Sequence, residues 1–518
     1  MTVLCDAPAR DVVADSPARR HPLTVAGWIA AVASGLALSA YTRSEMWLDE
    51  ALSVDIARLP LGDLREALER DGAPPLYYAL LHAWTGLLGD GNVAARSLSA
   101  CFAAAALVAM WFVARRVGGT ALAWTAVVVM ATNPYVVRYA TEARMYTLVI
   151  LLVTAGMLVV DRALEQPTFQ RLVPVSLVVA ALIHTHYWGF SVIAVTGAAL
   201  ALIAWRDAAR RRAAVATLVA TAIGGLTFLA WLPSFLYQRA HTGTPWGEPV
   251  LPGLPIGRTL LAFSGGEEQE GWLLLLVAIP LVVLGAFGLG VDRRRVELDL
   301  RGRGEVRWHA LIGGASLVVG VTLGYLAGQA FEARYSAIVF PFFVLLAARG
   351  VTTLRDERVR VGVLAVVVLL GLVGGVRNAS EQRTQAGDVG AILTAEARAG
   401  DLVVYCPDQL GPSVHRVTDT AAAQVTYPAF ASPAFVDWVD YEDRLAAADP
   451  AAFVDEVLTR VGRGTVWYVT GPGYATHAGV CEAMADDLAS ARERIPRVLP
   501  DEDVFEKPGL QQYPPPTP

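Results

Sequence analysis

The chain has 518 residues, of which 54% are hydrophobic and 17% charged, and its mean hydropathy is +0.44. This composition leaves too little polar surface for one large soluble globule, so it excludes an ordinary soluble enzyme. The formal net charge is only -6 and no dense block of lysine or arginine occurs, which argues against a nucleic-acid partner. A polytopic membrane protein remains.

Uncharged stretches long enough to cross the membrane recur along the chain, each of roughly 20 residues for about 30 Å of hydrocarbon. They predict about eleven membrane-spanning helices, at 22–42, 97–114, 117–137, 145–160, 172–187, 188–205, 213–233, 271–291, 308–330, 335–348 and 361–376. Proline and glycine inside several stretches make the individual boundaries approximate. The predicted fold class is therefore an α-helical polytopic membrane protein.

Arginines cluster in alternate connections between these stretches, around Arg115, Arg162, Arg206, Arg293 and Arg349. The positive-inside rule places such connections in the cytoplasm, together with an N-terminal tail, 1–21. An odd number of spans then puts both the connection 43–96 and residues 377–518 outside. The first stretch is too long for the apolar region of a usual cleaved signal, so we expect an uncleaved anchor.

The outer connection 43–96 is rich in tryptophan, tyrosine and leucine as well as carboxylates. A loop this apolar is expected to form amphipathic helices in the membrane interface, near 50–58, 61–70 and 76–88. Asp49 and Glu50 lie where the first span meets that surface. A simpler interpretation makes Asp49 a helix cap and Glu50 a solvated side chain.

The composition changes to a soluble pattern after about residue 377. A helix is predicted near 386–398, strands at 402–406 and 465–470, and a further helix at 478–494. Short β-branched runs that alternate with helices indicate a small extracytoplasmic α/β domain, 377–518, with a frayed proline-rich end at 514–518.

Four cysteines without CxxC spacing give no zinc or iron–sulfur signature. Cys406 and Cys481 both fall in the outer domain, where a disulfide can persist. Either a bridge between them or two separately buried thiols fits the sequence.

Three further outer segments carry polar groups at the membrane edge: 138–146, 184–188 and 332–335. Taken singly, their arginines, histidines and aromatic residues fit ordinary interface anchors. Taken together, arginines, carboxylates and histidines on one face suit a phosphate-bearing lipid held at the bilayer surface.

These motifs resemble the GT-C superfamily of membrane glycosyltransferases, and within it the protein O-mannosyltransferase-like and aminoarabinose-transferase-like branch. The resemblance covers roughly 22–376 and rests on Asp49-Glu50, Asp71 with Pro74-Pro75-Leu76-Tyr77-Tyr78, Glu142-Ala143-Arg144-Met145-Tyr146, His186-Tyr187 and Arg334-Tyr335. It implies an enzyme that transfers a sugar, mannose or a related hexose, with inversion. The donor would be a polyprenyl phosphate, and the acceptor an extracytoplasmic protein, glycolipid or polysaccharide.

Both the resemblance and the chemistry assign roles to individual residues. A polyprenyl phosphate leaves readily once its charge is neutralised, so the reaction needs one base and a set of cations. Asp49 is the predicted base. Its catalytic neighbour Glu50 is predicted to orient the loop or the acceptor, and the alternative that Glu50 is the base stays open. Arg144 and Arg334 are the predicted phosphate clamp, since a guanidinium binds phosphate through a planar fork. The remaining predicted contacts are Tyr146 and His186 for the phosphate, and Asp71, Tyr77 and Glu142 for the substrate.

A divalent metal stays open as a cofactor. Asp71 resembles the position of an acidic ligand in some relatives, and His184 or His186 could complete such a site, whereas other relatives work without a metal. The spacing gives no compact ligand motif.

Two other classes of function stay open as well. A flippase or transporter of lipid-linked sugars would be expected to carry its polar residues within spans, often in repeated halves. A non-catalytic scaffold with the same fold would not need the set formed by Asp49, Glu50, Arg144 and Arg334.

Overall fold

A computed structural model describes residues 22–302, 304 and 306–516 of the chain. The predicted N-terminal tail and the last two residues of the predicted frayed end lie outside this range. The described helices are α1 (Pro22–Ser39), α2 (Leu48–Arg58), α3 (Leu64–Asp71), α4 (Leu76–Leu88), α5 (Asn92–Ala131), α6 (Pro134–Ala140), α7 (Tyr146–Glu165), α8 (Phe169–Thr185), α9 (Gly189–Arg206), α10 (Arg211–Leu226), α11 (Leu232–His241), α12 (Gly253–Phe263), α13 (Gln269–Phe287), α14 (Arg307–Leu326), α15 (Phe340–Thr353), α16 (Glu357–Ser380), α17 (Ala386–Glu396), α18 (Gly411–Arg416), α19 (Tyr441–Ala446), α20 (Pro450–Val461) and α21 (Val480–Ala491). The strands are β1 (Gly288–Gly290), β2 (Val296–Leu298), β3 (Leu402–Tyr405), β4 (Ala423–Thr426), β5 (Val466–Thr470), β6 (Ile495–Val498) and β7 (Gly509–Tyr513).

Seven of the described helices are long and apolar enough to cross a membrane, namely α5, α7, α9, α10, α13, α14 and α16. Three shorter helices, α1, α8 and α15, are also apolar. Helix α5 contains a break, because Gly118 and Gly119 have non-helical torsion angles, and it therefore supplies two of the predicted spans. Counted in this way the helices correspond to the eleven predicted ones, and the polytopic helical fold is confirmed.

One predicted span, 117–137, ends earlier than expected. Helix α5 stops at Ala131, and the chain starts the new helix α6 at Pro134. The Asn133 side chain accepts a hydrogen bond of 2.9 Å from the backbone N–H of Tyr135, which caps α6, and proline is well suited to the first turn. This break turns α6 toward the segment that carries Arg144.

The arginine-rich connections lie together at one end of the helix bundle. Arg116, in α5, forms an ion pair with Glu165 at the end of α7. Arg171 donates a hydrogen bond of 2.9 Å to the Arg162 carbonyl oxygen. Alternate connections share one end of a bundle, as the arginine pattern predicts.

The outer connection 43–96 folds into the three predicted helices, α2, α3 and α4. Seven of the eleven residues of α2 are buried. The connection is therefore a packed layer of the protein, and α2 holds Asp49 and Glu50 in its first turn.

The C-terminal domain contains a five-stranded sheet in the order β4-β3-β5-β7-β6. The predicted helices and strands are present as α17, β3, β5 and α21. The sheet is mixed: β4, β3 and β5 run parallel, while β7 is antiparallel to both β5 and β6. Cys406 follows β3 and Cys481 lies in α21, with Cα atoms 5.5 Å apart, and the two form a disulfide.

The C-terminal domain packs directly on the outer connection. Trp438 donates a backbone hydrogen bond of 3.1 Å to the Arg70 carbonyl oxygen at the end of α3. Arg416, in α18, lies 3.6 Å from the Asp55 carboxylate in α2. The domain therefore lies at the same end of the bundle as residues 43–96, which is the arrangement that an odd number of spans predicts.

Helix α15 fixes the segment that carries Arg334. A 3-10 turn, Ala333–Ile338, leads into α15, most of whose residues are buried. Helices α13 and α15 meet backbone to backbone, because a Cβ atom at Gly285 would lie only 1.9 Å from the Leu346 carbonyl oxygen. Close approach through small residues is a usual way for membrane helices to pack.

Candidate active site

A cavity of about 980 Å³ opens where the outer connection, the membrane helices and the C-terminal domain meet. Its walls include the start of α2, the start of α9, the connection after α11 and two loops of the C-terminal domain. The lining is mainly apolar and aromatic with a few charged groups, which is the usual make-up of a ligand site. Of the predicted site residues it contains Asp49, Asp71, Arg144, Tyr146, His186 and Arg334.

Asp49 lies between the two predicted phosphate-binding arginines. Its Oδ2 atom is 3.2 Å from Nη1 of Arg334 and 3.6 Å from Nη2 of Arg144. The side chains of these three residues are 14–20% exposed, so each is largely desolvated but still reaches the cavity. Residues far apart in the sequence thus place one carboxylate and two guanidinium groups at a single point.

Helix α2 and the loop before α7 hold Arg144 in place. Its Nη1 atom donates to Ser53 Oγ at 2.8 Å and to the Asp49 carbonyl oxygen at 3.2 Å. Ser53 lies four residues after Asp49 and hence on the same face of α2. The Ser99 hydroxyl donates to the Arg144 carbonyl oxygen at 3.1 Å, which ties the loop to α5.

Aromatic rings surround Arg334. Its guanidinium carbon lies 5.8 Å from the ring centre of Trp47, 5.4 Å from that of Trp246 and 5.7 Å from that of Tyr335. These contacts are within the range of cation–π attraction and orient the guanidinium while leaving N–H groups free to bind an anion.

Glu50 does not line the cavity. Its carboxylate is fully buried and accepts hydrogen bonds from Arg96 Nε at 2.7 Å, Arg96 Nη2 at 2.8 Å and the Ala143 backbone N–H at 2.9 Å. Burial acts to raise the pKa of Glu50, but the Arg96 guanidinium, the nearby Arg383 and the Ala143 N–H outweigh it and hold the pKa below its usual value. The contacts of Glu50 are thus structural: they join α2 to α5 and to the loop that carries Arg144.

Other predicted site residues divide between the cavity and the interior. Asp71 reaches the cavity and accepts a hydrogen bond of 2.8 Å from the Tyr78 hydroxyl, and burial raises the pKa of its carboxyl group. Tyr77 is fully buried, with its hydroxyl 3.4 Å from Ser99 Oγ. Glu142 is buried against Arg138, at 2.9 Å.

The residues considered for a metal do not form a ligand set. Asp71 and His186 line the cavity, whereas His184 does not, and its Nδ1 atom lies 2.8 Å from the Ala180 carbonyl oxygen. Among the residues that the structure describes, no group of three or more His, Cys, Asp or Glu side chains could hold a metal ion.

Sequence reasoning missed several residues of the site. Trp47 and Trp246, which flank Arg334, and Glu506, which reaches the cavity from the C-terminal domain, all line it. Arg96 was missed as the partner of Glu50. Ser53 alone had a usable signal, since a helix that starts near Asp49 places a residue four positions later on the same face.

A second cavity, of about 830 Å³, lies at the arginine-rich end of the bundle. Four of its lining residues pair with each other: Arg116 pairs with Glu165, and His309 Nε2 is 3.6 Å from Asp161. The first cavity instead directs one carboxylate and two cations toward a single point, and we take it as the candidate active site.

Neither the protein-family models nor the curated protein sequences contain a match to the chain. Solved structures do share its fold. ArnT from Cupriavidus metallidurans in the apo state is 12% identical, with a TM-score of 0.59 over 94% of this chain and 97% of that one. The same protein bound to undecaprenyl phosphate gives a TM-score of 0.54 at the same coverage. The oligosaccharyltransferase of Archaeoglobus fulgidus is 10% identical, with a TM-score of 0.50 over 91% of this chain and 72% of that one.

The chain therefore shares its fold with ArnT and the archaeal oligosaccharyltransferase, which are GT-C glycosyltransferases, and this is the fold that the resemblance of its motifs implied. The likeness extends over the membrane helices and the C-terminal domain, because 94% of the chain is covered. With its apolar helices, the chain is a multi-pass membrane protein.

Proposed function

We propose that this protein is a glycosyltransferase that takes a sugar from a polyprenyl phosphate and transfers it, with inversion, to an acceptor hydroxyl. One observation carries the proposal: the Asp49 carboxylate lies 3.2 Å from Arg334 and 3.6 Å from Arg144 in a large cavity where the membrane helices and the C-terminal domain meet. A base next to two cations is what this reaction needs. The fold shared with ArnT, whose structure contains undecaprenyl phosphate, supports the same donor class.

The two guanidinium groups act on the leaving group. As the bond between the sugar C1 atom and the phosphate oxygen breaks, its electron pair moves to the phosphate, whose charge increases. Arg144 and Arg334 are already fixed by Ser53 and by the surrounding rings, so they stabilise that charge with little reorganisation. Tyr146 and His186 line the same wall and lie next to each other, with ring centres 5.9 Å apart.

Asp49 acts on the acceptor. Its carboxylate accepts the proton of the acceptor hydroxyl as the oxygen attacks C1 from the face opposite the phosphate, and this geometry inverts the configuration. No second carboxylic acid is needed to protonate the leaving group, because the phosphate is stabilised as an anion. Arg144 and Arg334 contact Asp49, and donor phosphate would take over part of this pairing.

Within this class, mannose or a related hexose is the proposed sugar, and a protein, glycolipid or polysaccharide of the cell envelope is the proposed acceptor. The active site and the C-terminal domain would face outward, since arginines are concentrated at the opposite end of the bundle. Cysteines introduced by Asp487→Cys in the C-terminal domain and by Arg212→Cys at the basic end test this in a background without Cys5 and Cys101. A membrane-impermeant thiol reagent should label intact cells only at position 487, and labelling only at position 212 would reverse the orientation.

The lipids of the cell test the proposed activity itself. Cells that lack the protein should accumulate a polyprenyl-phosphate sugar, and mass spectrometry of the extracted lipids would identify the hexose. The wild-type gene should restore the normal level, whereas a gene encoding Asp49→Asn should not. Equal levels of every polyprenyl-phosphate sugar in the three strains would contradict the proposal.

A further inference from the structure

A short segment of the C-terminal domain forms part of the cavity wall next to Asp49. Glu502, Phe505, Glu506 and Lys507 all line the cavity. The Phe505 ring packs edge-on against Trp47, with ring centres 5.2 Å apart, and Trp47 in turn lies against Arg334. The segment thus contacts the residue that precedes α2 and, through it, one of the two arginines.

Glu506 makes the most direct contact with the helix that carries Asp49. Its Oε1 atom accepts a hydrogen bond of 3.0 Å from the backbone N–H of Leu48, the first residue of α2. The first N–H groups of a helix have no partner within the helix, and a carboxylate is favoured there. Trp47, at the N-cap position of α2, provides no side-chain hydrogen bond, so Glu506 supplies this contact from 458 residues away.

The backbone of Glu506 is itself firmly held. Its N–H donates to the Arg383 carbonyl oxygen at 2.9 Å, and its carbonyl oxygen accepts from the Gln385 N–H at 3.1 Å. Arg383, fully buried, donates in turn to the Thr141 carbonyl oxygen at 2.9 Å and to its hydroxyl at 2.7 Å, three residues before Arg144. Glu506 is only 3% exposed. Glu506 therefore connects the C-terminal domain to the first turn of α2 and, through Arg383, to the loop that carries Arg144.

We infer that Glu506 is a positioning residue, which fixes the first turn of α2 and thereby the Asp49 carboxylate, so that the C-terminal domain is a working part of the catalytic site. The inference rests on the proposed function. A base must lie within a fraction of an ångström of its reactive position, and a displacement of about 1 Å can cost on the order of 10²-fold in rate. Arg144 and Arg334 are held by other contacts, so loss of Glu506 should affect the chemical step more than donor binding.

Three variants separate a positioning role from a general loss of structure. Glu506→Ala removes the acceptor atom, whereas Glu506→Gln keeps an oxygen that can accept from Leu48 N–H. Asp503→Ala removes a carboxylate from the same segment, where the side chain is exposed, and serves as the matched control. Donor turnover is measured with polyprenyl-phosphate mannose in membrane vesicles that carry the natural acceptor.

We expect kcat to fall by roughly 10- to 100-fold in Glu506→Ala with little change in the donor KM, while Glu506→Gln and Asp503→Ala stay within about 3-fold of wild type. Wild-type kcat in Glu506→Ala, or equal losses in Glu506→Ala and Glu506→Gln, would overturn the inference. Hydrogen exchange of purified protein in nanodiscs provides a readout that needs no activity: the amide of Leu48 should be protected in wild type and Glu506→Gln and exchange faster in Glu506→Ala. If wild type turns over no donor, the proposed function fails, whereas equal exchange in all variants rejects the contact itself.

Discussion

Replacing Glu50 by glutamine tests the division of roles between the two adjacent carboxylates. In the folded protein the Glu50 carboxylate is fully buried and accepts three hydrogen bonds of 2.7–2.9 Å, from Arg96 and from the Ala143 N–H. Glutamine preserves the shape but leaves the Arg96 charge uncompensated and places an N–H₂ group toward a donor. Removal of one partner from a buried ion pair typically costs about 3–5 kcal/mol, so we expect the free energy of unfolding to fall by that amount.

The assay is a denaturant titration of the purified protein in detergent micelles, followed by tryptophan fluorescence. Glu66→Gln is the matched control, because the ion pair between Glu66 and Arg70 is exposed and should contribute no more than about 0.5 kcal/mol. Adding Arg96→Met to Glu50→Gln should restore part of the lost stability, since the unpaired charge is removed. A Glu50→Gln protein as stable as wild type but unable to transfer sugar would refute the structural role and return Glu50 to catalysis.

Three further outcomes are expected. Arg144→Ala or Arg334→Ala should weaken donor binding by about 2–5 kcal/mol in a titration with polyprenyl phosphate, and lysine should rescue only partly; unchanged affinity in both alanine variants would exclude the clamp. Cys481→Ser opens a loop with a sequence separation of 75 residues and should destabilise the C-terminal domain by about 4 kcal/mol in thermal unfolding, an effect that reduction of the wild type should reproduce. Burial raises the pKa of Glu506 from its usual 4.5 to about 7. Between pH 4.5 and about pH 7 the folded state therefore binds more protons than the unfolded state. As the pH rises through this window, the free energy of unfolding of wild type should fall by about 3 kcal/mol relative to that of Glu506→Gln. The same pH dependence of unfolding free energy in both proteins would contradict this prediction.

The local pattern of apolar and polar residues in the sequence was enough to predict the membrane helices and the helices of the outer connection. An apolar run of sufficient length has few alternatives to a helix in hydrocarbon, because every backbone N–H and C=O group must be paired. The same reasoning reached α17, β3, β5 and α21 in the C-terminal domain. It missed β4, β6 and β7, whose short strands contain the polar or proline-bearing sequences AQVT, IPRV and GLQQY and depend on their neighbours in the sheet.

The different environments of Asp49 and Glu50 follow from helix geometry. Consecutive residues on an α-helix point about 100° apart, so Asp49 can line the cavity while Glu50 points into the protein interior. Sequence alone does not say which of them faces inward. That choice depends on Arg96 and on Arg383, which are 46 and 333 positions from Glu50 along the chain but meet it in the fold. The contact between Glu506 and Leu48 is equally remote and has no local signature.

A comparison of donor turnover and donor binding between wild type and Asp49→Asn tests the role of Asp49 as the base. Purified protein in nanodiscs is titrated with polyprenyl phosphate, and membrane vesicles with the natural acceptor are given radiolabelled polyprenyl-phosphate mannose. We expect both proteins to bind the lipid phosphate, because Arg144 and Arg334 remain in place, and only wild type to transfer label from the lipid to the acceptor. Transfer by Asp49→Asn at the wild-type rate would exclude Asp49 as the base.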